Sequence, residues 1–116
     1  MFDTVLVAGL GLMGGSMAKT IKARTLSRVL GWNRPRATAE QALADGSIDA
    51  IATDALFREV DLVIIGLYPQ ATVDWLLENM PKMKKGCVIV DMVGVKQFMV
   101  DHLEQAALDA GVHYVG

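Results

Sequence analysis

The chain has a single cysteine, no long apolar run and almost no net charge, and each shortage excludes a class of protein. Cys87 alone cannot form a disulfide within the chain, which suits a reducing compartment; it reads as a small buried hydrophobe in a strand rather than a reactive thiol. No apolar stretch reaches the roughly 18 residues that a membrane span requires. The N-terminus lacks the basic segment, apolar run and cleavage site of a signal peptide. A cytoplasmic protein without a membrane partner is therefore expected. A net charge of −2 leaves no basic surface for a phosphate backbone, so nucleic acid is not an expected partner. No histidine, cysteine or carboxylate cluster has metal-ligand spacing, and no serine sits in a nucleophile elbow. Low-complexity segments, linkers and internal repeats are also missing. What remains, at 53% hydrophobic and 21% charged over 116 residues, is one globular domain with a core of ordinary size.

The chain is organised by alternation. Short β-branched and aliphatic runs at 4–9, 28–33, 61–67 and 86–92 read as strands, and the last two are continuously apolar apart from Asp61 at the start of one and Asp91 near the end of the other, as strands buried on both faces are. Between them, 12–23, 35–46, 69–80 and 96–111 carry helical spacing. Gly46 and Gly111 close two of these helices, and Pro69 stands near the start of another. The region 47–60 is the least regular; Ala50–Thr53 reads as a short edge strand before a helical turn. Residues 112–116 begin a further strand. Strands alternating with helices predict a doubly wound Rossmann-type α/β fold of three layers, with a parallel sheet in the order 3-2-1-4-5 and a sixth strand begun. The whole of 1–116 is read as one dinucleotide-binding domain.

The first strand runs into Gly9-x-Gly11-x-x-Gly14, with Gly15 following, and this stretch opens the first helix. The three glycines serve different ends. Gly9 turns the chain out of the strand, Gly11 lets a pyrophosphate approach the backbone, and Gly14 lets the helix pack close to the sheet. The helix start then offers free N–H groups and the positive end of its dipole to phosphate. Leu12 and Met13, the first helical residues, belong to the same candidate cradle. Ser16 is either a hydroxyl near the phosphates or a small packing residue.

In an NAD-binding domain the second strand ends at an acidic residue that holds the ribose 2′-OH. Here that position is Asn33, followed by Arg34 and Arg36. Asparagine does not repel a 2′-phosphate, and Arg34 can pair with one through two parallel N–H bonds. The pattern favours NADP, with NAD as the alternative. Trp32 reads as a core or sheet-face residue, or as a neighbour of the adenine.

Four stretches together, GLGLMGGSMA at 9–18, ADGSID at 44–49, DLVIIGLYPQAT at 61–72 and VIVDMVGVK at 88–96, resemble the N-terminal domain of prephenate/arogenate dehydrogenases, the enzymes of tyrosine biosynthesis. The resemblance covers nearly the whole chain. It implies oxidative decarboxylation of a cyclohexadienyl acid: hydride leaves the hydroxyl-bearing ring carbon for the nicotinamide, a histidine takes the hydroxyl proton, and loss of CO2 makes the ring aromatic. It also implies that Gly9, Gly11 and Gly14 hold the pyrophosphate, and that Asn33 and Arg34 face the adenosine ribose. Leu67, Tyr68 and Pro69 would line the cofactor towards the nicotinamide, and Asp91 and Lys96 would stand on the substrate side. Prephenate or arogenate would be the substrate of the full-length enzyme, which would be a homodimer.

The sequence departs from that pattern in two places. Gly94 stands where many members carry a serine beside the substrate. The family's catalytic histidine lies in a His-Pro-Met-Ala-Gly stretch beyond Gly116, as does its helical second domain, so these residues alone are expected to bind cofactor weakly and to turn nothing over. Neither His102, mid-helix, nor His113, in the last strand, is a good general base. The first strand and helix followed by Asn33-Arg34 also resemble the β-hydroxyacid dehydrogenases, although the motif from Asp91 to Lys96 and the DGSID turn do not. A stand-alone, non-catalytic Rossmann module is the remaining alternative.

Overall fold

The structure, a computed structural model, describes residues 2–95 and 97–115; Met1, Lys96 and Gly116 lie outside the described residues, as do the side chains of Leu12 and of residues 97–99. Six parallel strands form one sheet in the order β3-β2-β1-β4-β5-β6: β1 Thr4–Ala8, β2 Arg28–Trp32, β3 Ala50–Ile51, β4 Leu62–Ile65, β5 Val88–Asp91 and β6 His113–Val115. The connections carry helices α1 Leu12–Arg24, α2 Arg36–Ala44, α3 Pro69–Asn79 and α4 Gln97–Ala110. This is the expected strand order, with β6 added to it.

Strand β1 shows why the sheet forms. All five of its residues are buried, and alternate side chains enter opposite layers. Val5 and Val7 pack with Val29, Ala18 of α1, and Ala39 and Ala42 of α2. Leu6 and Ala8 pack on the other face with Leu30, with Leu76 of α3 and with Leu103 of α4. Each such large side chain taken out of water stabilises the fold by roughly 1.5–3 kcal/mol. Only apolar residues satisfy both layers at once, hence the unbroken aliphatic runs.

The irregular region resolves into the two-residue strand β3 and a 3-10 segment Asp54–Glu59, in which Phe57 alone is buried. With one anchor the segment has no amphipathic stripe to hold an α-helix. The strands are shorter than the apolar runs: β4 stops at Ile65 and leaves Gly66 and Leu67 to the loop, and β2 stops at Trp32, just before Asn33.

The N-terminal end of the sheet is tied by Asp61. Its Oδ2 accepts the backbone N–H groups of Asp3 and Thr4, each at 2.9 Å, and its Oδ1 meets the Lys84 ammonium. Cys87 is buried in this layer, and burial pushes its thiol up to about 11, which fits its reading as a packed hydrophobe.

Candidate functional site

At the C-terminal end of the sheet, β1 lies between β2, reached by the first crossover, and β4, reached after the chain has changed direction. Ligands of open α/β sheets sit outside such a switch point. A cleft of ≈ 780 Å³ opens there, within the range of about 300–1,000 Å³ that small-molecule and cofactor sites occupy.

The glycines shape its floor in three ways. Gly9 has φ +92, and a Cβ there would stand 2.8 Å from the Gly66 carbonyl oxygen. Its N–H donates to the Trp32 carbonyl at 2.8 Å, and the Gly66 N–H to that of Ala8 at 2.9 Å, so the turn is sewn to both neighbouring strands. A Cβ on Gly14 would lie 1.7 Å from the Gly9 carbonyl oxygen, a contact no side chain survives; the first turn of α1 rests directly on the end of β1. Gly11 is the opposite case, since a Cβ there would meet nothing within 4 Å. The backbone of Gly11 therefore faces open space at the start of α1, whose first turn has neither a side-chain cap nor an acidic residue. Those N–H groups and the helix dipole are free for an anion. Close contact at Gly9 and Gly14 and open space at Gly11 are what a pyrophosphate cradle requires, so these residues fit the dinucleotide.

Met13 also lines the cleft. Leu12 begins α1, but its side chain is outside the described residues. Ser16 is exposed, and its carbonyl accepts the Thr20 hydroxyl at 2.9 Å.

Asn33 lines the cleft and does a second job. Its Oδ1 accepts the Leu10 N–H at 2.7 Å, and its Nδ2 donates to the Pro35 carbonyl at 3.0 Å. The amide thereby bridges the glycine turn to the loop after β2, a role the sequence alone does not reveal. Arg34 follows, with its guanidinium carbon 5.9 Å from the centroid of the Trp32 ring, in cation–π range. Trp32 packs against the core, as its sequence reading has it, and it also lines the cleft.

Across the cleft stands α3. Leu67 and Tyr68 line the cleft, Tyr68 being almost fully exposed. Pro69 does not line it; as the first residue of α3, its ring is spent on starting the helix. Ala71, Asp74, Trp75 and Glu78 complete that wall, a face that sequence reasoning misses. Their helical spacing is visible, but the same spacing describes any amphipathic helix. Trp75 is 4% exposed and meets Trp32 edge to face, with centroids 5.7 Å apart. Among the described residues its Nε1 is a buried donor with no hydrogen-bond partner.

Asp91 is buried at the end of β5 and does not line the cleft. Its Oδ1 accepts the N–H groups of Val93 and Gly94, each at 3.0 Å, which shapes the turn that puts Val93 on the cleft. The Tyr114 hydroxyl donates to its Oδ2 at 3.3 Å, and burial followed by the Asp91 charge pushes that phenol up to about 12. Lys96, its partner in the sequence motif, lies outside the described residues. His113 is exposed and pairs with Val88, at the far end of the sheet, and His102 is exposed on α4. Neither histidine reaches the cleft.

Among the described residues no helix is long and apolar enough to cross a membrane. Across its length the chain is 34% identical, over 120 residues, to the prephenate dehydrogenase of Bacillus subtilis (strain 168), and it spans 32% of that protein. In fold it is similar to a prephenate dehydrogenase from A. aeolicus solved with hydroxyphenyl propionate and NAD+, with a TM-score of 0.80 at 22% identity over 91% of this chain and 38% of that one. The 3-hydroxyisobutyrate dehydrogenase of Mycobacterium tuberculosis has a TM-score of 0.77 at 20% identity, over 98% of this chain and 39% of that one. Residues 4–116 match the sequence pattern of the NAD-binding domain of 6-phosphogluconate dehydrogenase. The chain therefore belongs to this family of NAD-binding domains of oxidoreductases, and its resemblance to prephenate dehydrogenase runs along its whole length.

Proposed function

We propose that the chain is the dinucleotide-binding domain of an oxidoreductase of the prephenate/arogenate dehydrogenase kind, and that it takes NADP in preference to NAD. The carrying observation is the contrast among the three glycines: backbone contact at Gly9 and Gly14, open space at Gly11. The N–H groups opening α1 would hold the pyrophosphate, with Leu67 and Tyr68 on the nicotinamide side. Bound there, the nicotinamide supplies a hydride acceptor. What this chain's residues do is position that group and shield it from water.

The NADP preference rests on the corner after β2. Arg34 lines the cleft beside Trp32, and Arg36 is the first residue of α2. A cation at a helix N-terminus faces the positive end of the dipole, so two arginines here suit a bound anion such as a 2′-phosphate.

The DG-x-ID turn and the stretch around Asp91 support the prephenate/arogenate reading over the β-hydroxyacid alternative. The substrate, prephenate or arogenate, and the dimer contacts belong on this reading to the rest of such an enzyme, of which the chain spans about a third.

Calorimetric titration with NADP and NAD tests the proposal. Fluorescence is a second readout, because Trp32 and Trp75 both line the cleft. NADP should bind more tightly, and Arg34→Ala should remove roughly tenfold or more of that advantage. Equal affinities in the parent chain would refute the NADP preference. Absence of binding at millimolar cofactor would refute the dinucleotide reading.

A further inference from the structure

We infer that Tyr114 is a positioning residue for the nicotinamide half of the cleft: its hydroxyl holds the Asp91 carboxylate in the pose that caps the Val93–Gly94 turn, and that turn sets Val93 against the ring. The inference rests on the dinucleotide reading and adds to it the residue that steadies one end of the site.

A dinucleotide laid across the switch point has two halves. The end of β2 takes the adenosine and the glycine turn takes the pyrophosphate, so the nicotinamide falls to the side of β4 and β5. Leu67, Tyr68 and Val93 line the cleft there. Leu67 and Tyr68 run directly from β4 into α3, which fixes them. Val93 has no such support. It is 46% exposed on the turn after β5, and the next residue, Gly94, has φ +91 with open space around it. The Met92 N–H donates to the Ile65 carbonyl at 2.9 Å and ties the start of the turn to β4. Beyond Met92 the turn is held from inside, by the Asp91 Oδ1 that accepts the Val93 and Gly94 N–H groups.

A carboxylate can brace a turn only if it is itself kept from rotating. The sheet supplies that restraint. Strand β6 pairs with β5 so that Tyr114 lies beside Ile89. Asp91, two residues further along β5, is then the diagonal neighbour of Tyr114 on the same face of the sheet. The Tyr114 ring packs against the core of that layer, and its hydroxyl donates to Asp91 Oδ2 at 3.3 Å. Among the described residues Asp91 forms no ion pair, and Tyr114 is the partner of its Oδ2. The phenol keeps its proton far above neutral pH, so it remains a donor wherever the fold is stable. One oxygen of a buried carboxylate thus grips the turn, and the other is anchored to a ring set in the core.

The test is calorimetric titration with NADP and with adenosine 2′,5′-bisphosphate, which carries the adenosine half alone. Tyr114→Phe keeps the ring and removes only the donor. It should weaken NADP about three- to tenfold, the scale of one hydrogen bond, and leave the bisphosphate within about twofold of the parent. Val93→Ala, at an exposed position that leaves the core untouched, should show the same selectivity with a loss of about threefold. Because both changes act at one place, the double variant should bind NADP no more than about twofold worse than Tyr114→Phe. Equal losses for both ligands in Tyr114→Phe would show a general structural role and overturn the inference, as would unchanged NADP binding in either single variant. A double variant whose loss is the product of the two single losses would overturn the path through Val93. In each of these cases the dinucleotide reading stands. If the parent chain binds neither ligand, both readings fall.

Discussion

Three neighbouring glycines should respond to the same substitution in three different ways. Gly14→Ala places a methyl group 1.7 Å from the Gly9 carbonyl oxygen. An ordinary C···O contact is about 3.3 Å, so the first turn of α1 must retreat by about 1.6 Å, one full residue of helical rise. Gly9 cannot yield in its place, because it is closed against Gly66 and bonded to Trp32. Overpacking of this kind costs about 1–3 kcal/mol, and more where backbone is the obstacle. Alanine normally favours a helical position by about 1 kcal/mol over glycine, which offsets only part of that. A net loss of at least about 2 kcal/mol is expected, or roughly 8 °C in Tm for a chain of this size.

Gly15→Ala is the control. It is the next residue in the same helix, and its Cβ would meet only the Leu10 carbonyl oxygen, at 3.4 Å. The propensity gain should survive, and the variant should match or exceed the parent by up to about 1 kcal/mol. Gly11→Ala separates stability from binding. Its Cβ meets nothing, and its extended backbone (φ −69, ψ −158) admits alanine, so the fold should lose at most about 1 kcal/mol. The methyl group would nevertheless stand where the phosphate approaches, and dinucleotide affinity should fall at least tenfold, roughly 1.4 kcal/mol. Urea unfolding and calorimetric titration of the three variants read both quantities. A Gly14→Ala protein as stable as Gly15→Ala would refute the packing argument. A Gly11→Ala protein that binds like the parent would refute the cradle.

Two single side chains make further predictions. Asn33→Asp keeps an acceptor for the Leu10 N–H but sets a negative charge beside the 2′-phosphate position; NADP affinity should drop by about tenfold or more while NAD affinity holds, and parallel losses for both cofactors would show that the residue only braces the turn. The Asp61 carboxyl is held below its ordinary 3.8, first by the Lys84 ammonium and then by the Thr4 N–H. A carboxylate depressed in the folded state stabilises the fold above its unfolded value and loses that contribution as pH falls through the folded one. Urea stability should therefore fall between about pH 5 and pH 2, more steeply in the parent than in Asp61→Asn; equal slopes would remove Asp61 from the account.

The parts of this molecule that are legible in its sequence are those where one residue meets one physical demand. A strand buried on both faces favours apolar side chains, so β1 and β4 announce themselves. The glycine turn is equally plain, because its spacing sits at a strand-to-helix junction, where backbone approach at Gly9 and Gly14 leaves no room for a side chain. The site's remaining features arise from pairings between distant segments. Nothing in the composition of the loop after β2 says that Asn33 will accept the N–H of Leu10. Nothing in α3 distinguishes Asp74 and Glu78 from the solvated face of any amphipathic helix. They become a wall only because Trp32, at the end of β2, packs edge to face against Trp75 and brings that strand end alongside α3. The aromatic contact is therefore the hinge of the site: it belongs to the core by burial, and by position it decides which polar groups face one another across the cleft.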